Sequence, residues 1–274
     1  MPHIPVLLNE VITILDPKRG EFFVDGTFGA GGHSRAIQEK IGSEGRLLSL
    51  DWEKTGDNFA DLPEILEQKQ LGKADGLILD LGVSSDQLDG SDRGFSFRKD
   101  EPLLMTYDLN GEPVRKILTE LTEEELAKII REYGEERYAN KIARAIFEQE
   151  RKKPIVTTLE LAELIKNTVP INYERGRIHP ATRTFQALRI YANQELENLE
   201  RVLQNLHRIL KPGGRVAIIS FHSLEDRLVK NYFRDYKKAG TMKIITKKPI
   251  TPTKEEIINN PRSRSAKLRA ASIQ

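Results

Sequence analysis

Cysteine is absent from the 274 residues of this chain, which excludes disulfides, zinc–thiolate sites and thiol nucleophiles together. Long apolar runs are also missing, since no stretch approaches the roughly 18 residues that a membrane span needs. The chain does not open with a basic segment followed by an apolar run, as a secretory signal would. The His, Asp and Glu residues show no metal-ligand spacing, so the motifs require no metal. We therefore expect a cytoplasmic protein that uses no metal.

Net charge is small as well, at +2, but it is unevenly distributed. From Arg227 to Gln274 there are 13 lysines and arginines against 3 acidic residues, so the rest of the chain is acidic. A basic tail on an acidic body favours a polyanionic partner such as RNA. The alternative is a basic surface tail that is merely solvated.

The run Asp25-Gly26-Thr27-Phe28-Gly29-Ala30-Gly31-Gly32-His33-Ser34 follows an apolar stretch and predicts a strand, a glycine-rich turn and a helix. A dinucleotide fingerprint needs G-x-G-x-x-G, and here Ser34 stands where the last glycine should be. An acidic residue followed by three positions and G-x-G is instead typical of the loop of S-adenosylmethionine (SAM) methyltransferases. Carbon-5 methylation of a pyrimidine normally needs a cysteine, so a base methyltransferase of this sequence should modify a nitrogen or an oxygen.

Short apolar runs at Glu21–Val24, Leu47–Leu50, Gly76–Leu81 and Arg215–Phe221 predict buried parallel strands alternating with helices. The first three end at Asp25, Asp51 and Asp80. Ligands of doubly wound sheets bind at the carboxyl ends of strands, so we expect these carboxylates to lie together. Asp51 follows Gly31 by 20 positions, a spacing typical of a ribose-binding carboxylate.

Helical patterns without strands fill residues 108–177, with capped starts near Leu118–Leu126 and Thr157–Leu161 and a further helix at Tyr138–Arg151. We expect an all-helical subdomain at 108–177, inserted into an α/β domain made of residues 1–107 and 178–274. One long helix is predicted from about Ala181 to Leu210, and the segment Thr241–Asn260 is predicted to be a loop or a loosely attached arm.

Asp80 begins the run Asp80-Leu81-Gly82-Val83-Ser84-Ser85 at a strand end, a position that suits methylation of an exocyclic amine. A carboxylate or carbonyl that accepts the amine N–H would favour a more nucleophilic nitrogen. Asp80, Ser84 and Ser85 are therefore the candidate catalytic residues. In the alternative interpretation, Asp80 holds the amino acid end of SAM and only the turn meets the base.

Arg93, Phe95 and Phe97 lie on the next loop, where aromatic rings beside an arginine suit an extruded base. The alternative is that these rings are packing anchors. Arg183, in the block His179–Arg189, is a candidate phosphate contact. His222 follows the last predicted strand, at the same edge as the strand-end carboxylates, and is a candidate substrate contact. A lone histidine of this kind is more often structural than functional.

Together these motifs resemble the RsmH (MraW) family of bacterial methyltransferases, which act on N4 of a decoding-centre cytidine in small-subunit ribosomal RNA. The matching segments run in one order along nearly the whole chain: His3–Glu10, Asp25–Ser34, Asp75–Gln87, Arg93–Phe97, Tyr133–Arg137, His179–Arg189, Ile219–Arg227 and Asn260–Ser265. The resemblance implies a Rossmann-like, SAM-dependent methyltransferase sheet with an inserted helical domain that helps to recognise RNA, within an assembled subunit. It leaves the oligomeric state open, a homodimer being one alternative.

The cofactor contacts that the resemblance implies lie in the glycine loop, at two strand ends and in two further segments: Gly29, Gly31, Gly32, His33, Asp51, Phe59, Asp80 and Gln87. Two departures from the family matter. Leu104 and Thr106 replace an acid and an arginine, so a polar role there is lost or moved. Only about eight residues separate Asp51 from Phe59, where the family usually has a helix and a strand.

A parallel crossover connection needs about a dozen residues or more, so the third strand of the usual sheet cannot form in this interval. We expect Trp52–Leu62 to be a loop that leads into the next helix. Two other functions remain open. One is a non-catalytic RNA- or ribosome-binding derivative of the enzyme, favoured by the shortened segment and the basic tail. The other is an NAD-dependent oxidoreductase, which the glycine spacing disfavours.

Overall fold

A computed structural model describes residues 4–83, 92–108, 111–173 and 178–274. The chain divides into two compact units, one of which runs from Val83 to Glu195 and the other of which comprises the segments on either side of it. Within the described residues, no helix combines the length and apolar character that a membrane crossing requires.

The first unit is an α/β structure around a six-stranded sheet. Its strands are β1 (Phe22–Asp25), β2 (Arg46–Ser49), β3 (Ala74–Asp80), β4 (Leu210–Ser220), β5 (Met242–Ile244) and β6 (Lys267–Ile273). The spatial order is β2-β1-β3-β4-β6-β5, with β1 to β4 parallel and the last two strands antiparallel to their neighbours. The predicted strands are confirmed within two residues at each end, except that β4 begins five residues before its predicted start. The prediction that all four are buried is wrong for β2, which is half-buried or exposed because it lies at the edge of the sheet.

Helices cover both faces of this sheet because its inner strands are buried on both sides, as their near-continuous apolar runs predict. These helices are α1 (Leu8–Leu15), α2 (Gly32–Ile41), α3 (Trp52–Thr55), α4 (Leu62–Gln68), α10 (Glu195–Gln204), α11 (Leu206–Ile209), α12 (Ser223–Lys238) and α13 (Lys254–Asn259). One core cluster gathers Val24, Leu77 and Leu79 with side chains of α4, α10 and α12. The other gathers Phe23 and Ile78 with side chains of α1 and α2.

The described residues between β2 and α4 contain no strand, which confirms the predicted loss of the third strand of the usual sheet. Consequently β2 forms one edge of the sheet. The prediction of a plain loop at Trp52–Leu62 is wrong in detail. The segment forms the single turn α3 and a 3-10 turn at Phe59–Asp61, since Asp51 and Asn58 each cap the turn that follows.

The prediction of a loose arm at Thr241–Asn260 is also wrong. β5 lies in this segment and pairs with β6, and α13 is attached to the start of the described chain. The backbone N–H of Leu7 donates to Glu256 Oε1 over 2.8 Å, and Asn260 Nδ2 donates to the carbonyl of Ile4. The basic composition of the segment conceals this order, because its lysines are exposed while the buried contacts come from a few side chains such as Met242.

The second unit is helical in its described part, with α5 (Val114–Glu120), α6 (Glu123–Gly134), α7 (Ala139–Glu150), α8 (Thr158–Thr168) and α9 (Thr182–Asn193). Thr122 and Thr157 close capping boxes with Glu125 and Glu160, which confirms the predicted helix starts. The unit contains the whole of the predicted insert 108–177 and extends beyond it at both ends.

The single long helix predicted from Ala181 to Leu210 is wrong. The chain forms α9, α10 and α11 instead, with Gln194 in the left-handed conformation at φ 50° between the first two. Asn205, at φ −105°, separates the last two. Leucines at helical spacing continue through both breaks, so periodicity alone conceals them.

Candidate active site

The glycine loop joins β1 to α2 at the carboxyl end of the sheet. Gly31 has φ 73° and precedes the first helical residue, a left-handed conformation that favours glycine. The Phe28 ring packs against it, since a Cβ on Gly31 would lie 2.7 Å from Phe28 Cζ. Gly29 also has a positive φ of 51°. The loop thus brings backbone groups and the first turn of α2 towards whatever binds above β1.

Asp25 fixes the start of this loop from inside the protein. Its Oδ1 accepts from the backbone N–H of Thr27 at 3.0 Å, and its Oδ2 accepts from Ser34 Oγ at 2.7 Å. Burial raises the pKa of the Asp25 carboxyl, and the hydrogen bonds from Ser34 and Thr27 oppose that shift. Asp25 therefore shapes the loop rather than facing solvent.

Asp80, at the end of β3, is tied to the same loop. Its backbone N–H donates to Thr27 Oγ1 at 2.7 Å, and its Oδ1 accepts from the backbone N–H of Gly82 at 3.2 Å. Its Oδ2 lies 3.8 Å from His33 Nδ1. His33 Nε2 lies 3.0 Å from the carbonyl of Val6, which accepts only, so Nε2 carries the proton. The other ring nitrogen, Nδ1, faces the Asp80 carboxylate.

Asp51 follows β2, and its two carboxylate oxygens have different surroundings. Oδ1 accepts from the backbone N–H of Lys54 at 3.1 Å and caps α3. Oδ2 is buried and, among the described residues, accepts no hydrogen bond. The ammonium of Lys54 lies 3.1 Å from Oδ2, an ion pair without hydrogen-bond geometry. Oδ2 is thus an acceptor that still lacks a well-aligned donor.

Phe59 stands close to the glycine loop in spite of the shortened segment. A Cβ on Gly26 would lie 3.1 Å from the Cβ of Phe59 and 2.5 Å from Leu79 Cδ2, so only glycine fits there. The Phe59 ring is partly buried against the core of the sheet. The structure therefore brings Phe59, the glycine loop and the ends of β1, β2 and β3 together.

His222 follows β4 and caps α12. Its side chain accepts from the backbone N–H of Glu225, and the Glu225 carboxylate accepts in return from the backbone N–H of His222. Its Nε2 is 3.1 Å from Glu225 Oε1 but makes no hydrogen bond to any described residue. This capping box is the structural role that a lone histidine suggests. A contact of His222 with substrate stays a prediction.

Arg93 and Phe95 make internal contacts in the second unit. Arg93 Nη1 donates to the carbonyls of Thr106 and Tyr107, at 3.0 Å each, so the backbone at the altered Leu104–Thr106 loop is held by this arginine. Phe95 is 7% exposed and stacks on Tyr107 with ring centroids 5.1 Å apart. These contacts favour the packing interpretation of this loop, and base binding by Arg93 and Phe95 stays a prediction.

Phe97 and Arg183 lie in another part of the same unit. The Phe97 ring is 4.6 Å from the His179 ring and 4.9 Å from the Phe185 ring. Partial burial and the charge of Lys166 lower the pKa of His179. Arg183 Nη1 donates to the carbonyl of Glu135, which joins α9 to the end of α6. Phosphate binding by Arg183 stays a prediction.

Ser84, Ser85 and Gln87 lie outside the described residues, so their predicted roles are not tested. Sequence reasoning missed Thr27 and Lys54 as parts of the site. The signal for Lys54 was present, because a basic residue three positions after an N-capping acid can return to the acid.

Parallel strands that end in acidic residues, with a glycine loop after the first, define a Rossmann-like methyltransferase fold. The family model for the MraW methylase family matches residues 1–274. The chain belongs to the MraW methylase family.

Curated relatives named ribosomal RNA small subunit methyltransferase H are similar over almost their full length. The relative from Trichlorobacter lovleyi is 45% identical over 304 aligned positions, covering 98% of this chain and 97% of the relative. The one from Thermotoga neapolitana is 46% identical, with 99% and 96% covered. An alignment of 304 positions against a chain of 274 residues means that the Trichlorobacter relative carries residues that this chain lacks.

Proposed function

We propose that this protein transfers a methyl group from SAM to the exocyclic N4 of a cytidine in the decoding centre of 16S ribosomal RNA. The observation that carries the proposal is the cluster of Asp51, Asp80 and His33 around the glycine loop. Its acceptors match the donors of SAM, namely the ribose hydroxyls and the α-ammonium. The name shared by relatives at 45% and 46% identity supports the RNA substrate.

The chain's own residues fit this cofactor at both ends. Asp51 Oδ2 is a buried acceptor without a hydrogen bond, suited to ribose hydroxyls. The gap of 3.8 Å between His33 Nδ1 and Asp80 Oδ2 suits a donor such as an ammonium, which supplies hydrogen to both atoms. The first turn of α2 suits the carboxylate, and Phe59, whose Cβ adjoins Gly26, is the apolar side chain proposed to contact adenine.

In this proposal Asp80 serves the cofactor rather than the base, and two contacts support that choice. Its Oδ2 faces His33, and its other oxygen accepts from the turn after β3. That turn, which begins at Leu81 and Gly82, then positions the cytidine amine. When bound, SAM supplies a methyl group on a positively charged sulfur. Catalysis consists mainly of holding the amine nitrogen in line with that methyl group, and the proton of the amine leaves to water.

The second candidate is a non-catalytic RNA- or ribosome-binding protein. The observation that favours it is the shortened segment after β2, where a helical turn stands in place of a helix and a strand. The fit of the remaining cofactor residues argues for the enzyme, since Phe59 still reaches the loop.

The test is transfer of labelled methyl from SAM to small ribosomal subunits that lack this modification, with the nucleoside identified by mass spectrometry. N4-methylcytidine supports the proposal. A folded protein without incorporation, beside a family enzyme that is active on the same subunits, supports the non-catalytic candidate.

A matched pair of variants tests the cofactor site itself. Asp51→Asn should weaken SAM binding about 10- to 100-fold, the worth of hydrogen bonds to a charged group. Glu67→Gln, on the exposed face of α4, removes the same charge away from the site and should bind SAM as the wild type does. Equal affinity of all three proteins would remove Asp51 from the proposed site.

A further inference from the structure

Lys54 lies just after β2, at the edge of the sheet that carries Asp51 and is here called the cofactor edge, and the family resemblance assigns it no role. It belongs to α3, the single turn that replaces the missing helix and strand. Its ammonium reaches back across 25 residues of sequence and donates to the carbonyl of Gly29 at 3.0 Å. The same ammonium lies 3.1 Å from Asp51 Oδ2 and 5.8 Å from the centroid of the Phe28 ring.

The local fold holds Lys54 in this position. Its backbone N–H donates to Asp51 Oδ1, and Thr55 Oγ1 donates to the Asp51 carbonyl at 2.8 Å. Gly56, at φ 76°, then ends the turn. Both oxygens of the Asp51 carboxylate therefore face the same residue, one its backbone and the other its ammonium.

The ion pair between Lys54 and Asp51 lies at the proposed ribose site, but it is weak because the lysine is exposed. The Lys54 side chain is 60% exposed and that of Asp51 is 13% exposed. An exposed ammonium keeps most of its hydration and leaves at little cost, whereas the buried carboxylate oxygen needs a replacement donor. Ribose hydroxyls are such donors, and they need the same oxygen.

We propose that Lys54 is a latch on the cofactor site: its ammonium bridges Asp51 Oδ2 and the Gly29 carbonyl in the free protein and is displaced when ribose binds. The inference rests on the proposed function, because it assumes a ribose-containing cofactor at Asp51. The latch lowers cofactor affinity, since binding must first open it. An exposed ion pair of ordinary strength lowers the affinity about three- to fivefold.

The test is the dissociation constant of S-adenosylhomocysteine, measured by calorimetry on the full chain. Lys54→Met keeps the apolar stem and removes the ammonium, so it should bind about three- to fivefold more tightly than the wild type. Lys54→Arg keeps a cation at Asp51 and should bind no more tightly than the wild type. Lys40→Met removes an equal charge from an exposed position at the end of α2 and should match the wild type.

The salt dependence of ligand affinity provides an independent test. Raising the salt from about 50 mM to about 500 mM screens the ion pair, so the difference between wild type and Lys54→Met should shrink. A difference that is constant with salt would exclude an electrostatic latch.

Chemical labelling observes the ammonium directly. Acetylation of Lys54 by an amine reagent, followed by mass spectrometry, should increase when the protein is saturated with S-adenosylhomocysteine, while Lys40 stays unchanged. A decrease at Lys54 would mean that the ammonium stays in the site with the ligand, and would overturn the latch.

The outcomes separate the latch from the proposed function. Equal or weaker binding by Lys54→Met, with the wild type binding normally, overturns the latch alone. If the wild type and every variant fail to bind S-adenosylhomocysteine, the proposed function fails and the latch fails with it.

Discussion

The two edges of the sheet are built in opposite ways. At one edge, β2 has four residues whose side chains are half-buried or exposed, and no strand lies beyond it among the described residues. At the other edge, here called the closed edge, the three-residue strand β5 pairs with β6, a strand of seven residues of which five are buried. The segment that joins β5 to β6 is held at the start of the described chain, where Leu7 N–H donates to Glu256 and Asn260 donates to the Ile4 carbonyl.

The difference corresponds to what completes each edge. The closed edge is completed by the protein's own chain, so its polar groups have internal partners. Asp226 accepts from Arg269 Nε at 2.6 Å, and the ammonium of Lys267 lies 3.4 Å from the same carboxylate. The β2 edge keeps a buried carboxylate oxygen without a hydrogen bond. On the proposed function, the cofactor completes that edge. Stability should therefore depend mainly on one edge and ligand binding on the other.

The largest effect should come from the core of the closed edge. Leu268 in β6 is fully buried beside Ile219 in the neighbouring strand, so Leu268→Ala should lower the free energy of unfolding by about 3 kcal/mol. Leu48→Ala, in the half-buried β2 edge, is the matched variant and should cost about 1 kcal/mol. Urea unfolding of both measures the contrast, and equal losses would contradict it.

A smaller effect should come from the ion pair at the same edge. Burial raises the pKa of Asp226, but the charges and hydrogen bonds of Arg269 and Lys267 outweigh it, so the pKa lies below its ordinary value. Asp226→Asn leaves the nearly buried Arg269 without its counter-charge and should cost about 2 kcal/mol at neutral pH.

The same variant has a defined pH dependence. A carboxyl with a lowered folded pKa stabilises the protein above its unfolded pKa and loses that contribution as the pH falls through the folded value. The difference between wild type and Asp226→Asn should therefore be full at neutral pH and shrink below about pH 4. Unfolding curves across that range measure it, and a constant difference would mean that the carboxylate charge is not what stabilises.

The smallest effect should come from the cofactor edge. Asn58 accepts from the backbone N–H of Ala60 at 2.9 Å and caps the 3-10 turn, so Asn58→Ala should cost about 1 kcal/mol. Asn58→Ser retains a capping oxygen and should recover most of the loss. A loss as large as that of Leu268→Ala would mean that the cofactor edge is as important for folding as the closed edge.

The cofactor edge could be predicted largely from the sequence, because its signals are local. Apolar runs ending in Asp25, Asp51 and Asp80 indicate β1, β2 and β3, and the short interval after Asp51 excludes a further parallel strand. In the second unit, the capping boxes of Thr122 and Thr157 are local signals of the same kind. The hydrogen bond from the Lys54 ammonium to Gly29 could not be predicted, because it depends on how two separate segments meet in space.

The closed edge could not be predicted in the same way. In β6, Lys267 and Arg269 are partners of Asp226, yet in the sequence they look like part of a solvated basic tail. Pairing with β4 and β5 buries the intervening residues, and nothing local reveals those partners. The break at Gln194 escaped prediction for a related reason, since the left-handed residue is neither glycine nor asparagine.

The position of the missing strand also bears on how such sheets are altered by evolution or by design. A strand removed from an edge leaves the order of the remaining strands, β2-β1-β3-β4-β6-β5, continuous, whereas removal of an inner strand would force new pairings. The segment between β2 and α4 is therefore a site where an insertion is tolerated by the topology of the sheet. A helix and strand inserted there would extend the sheet outwards, and none of the existing connections would have to be rethreaded.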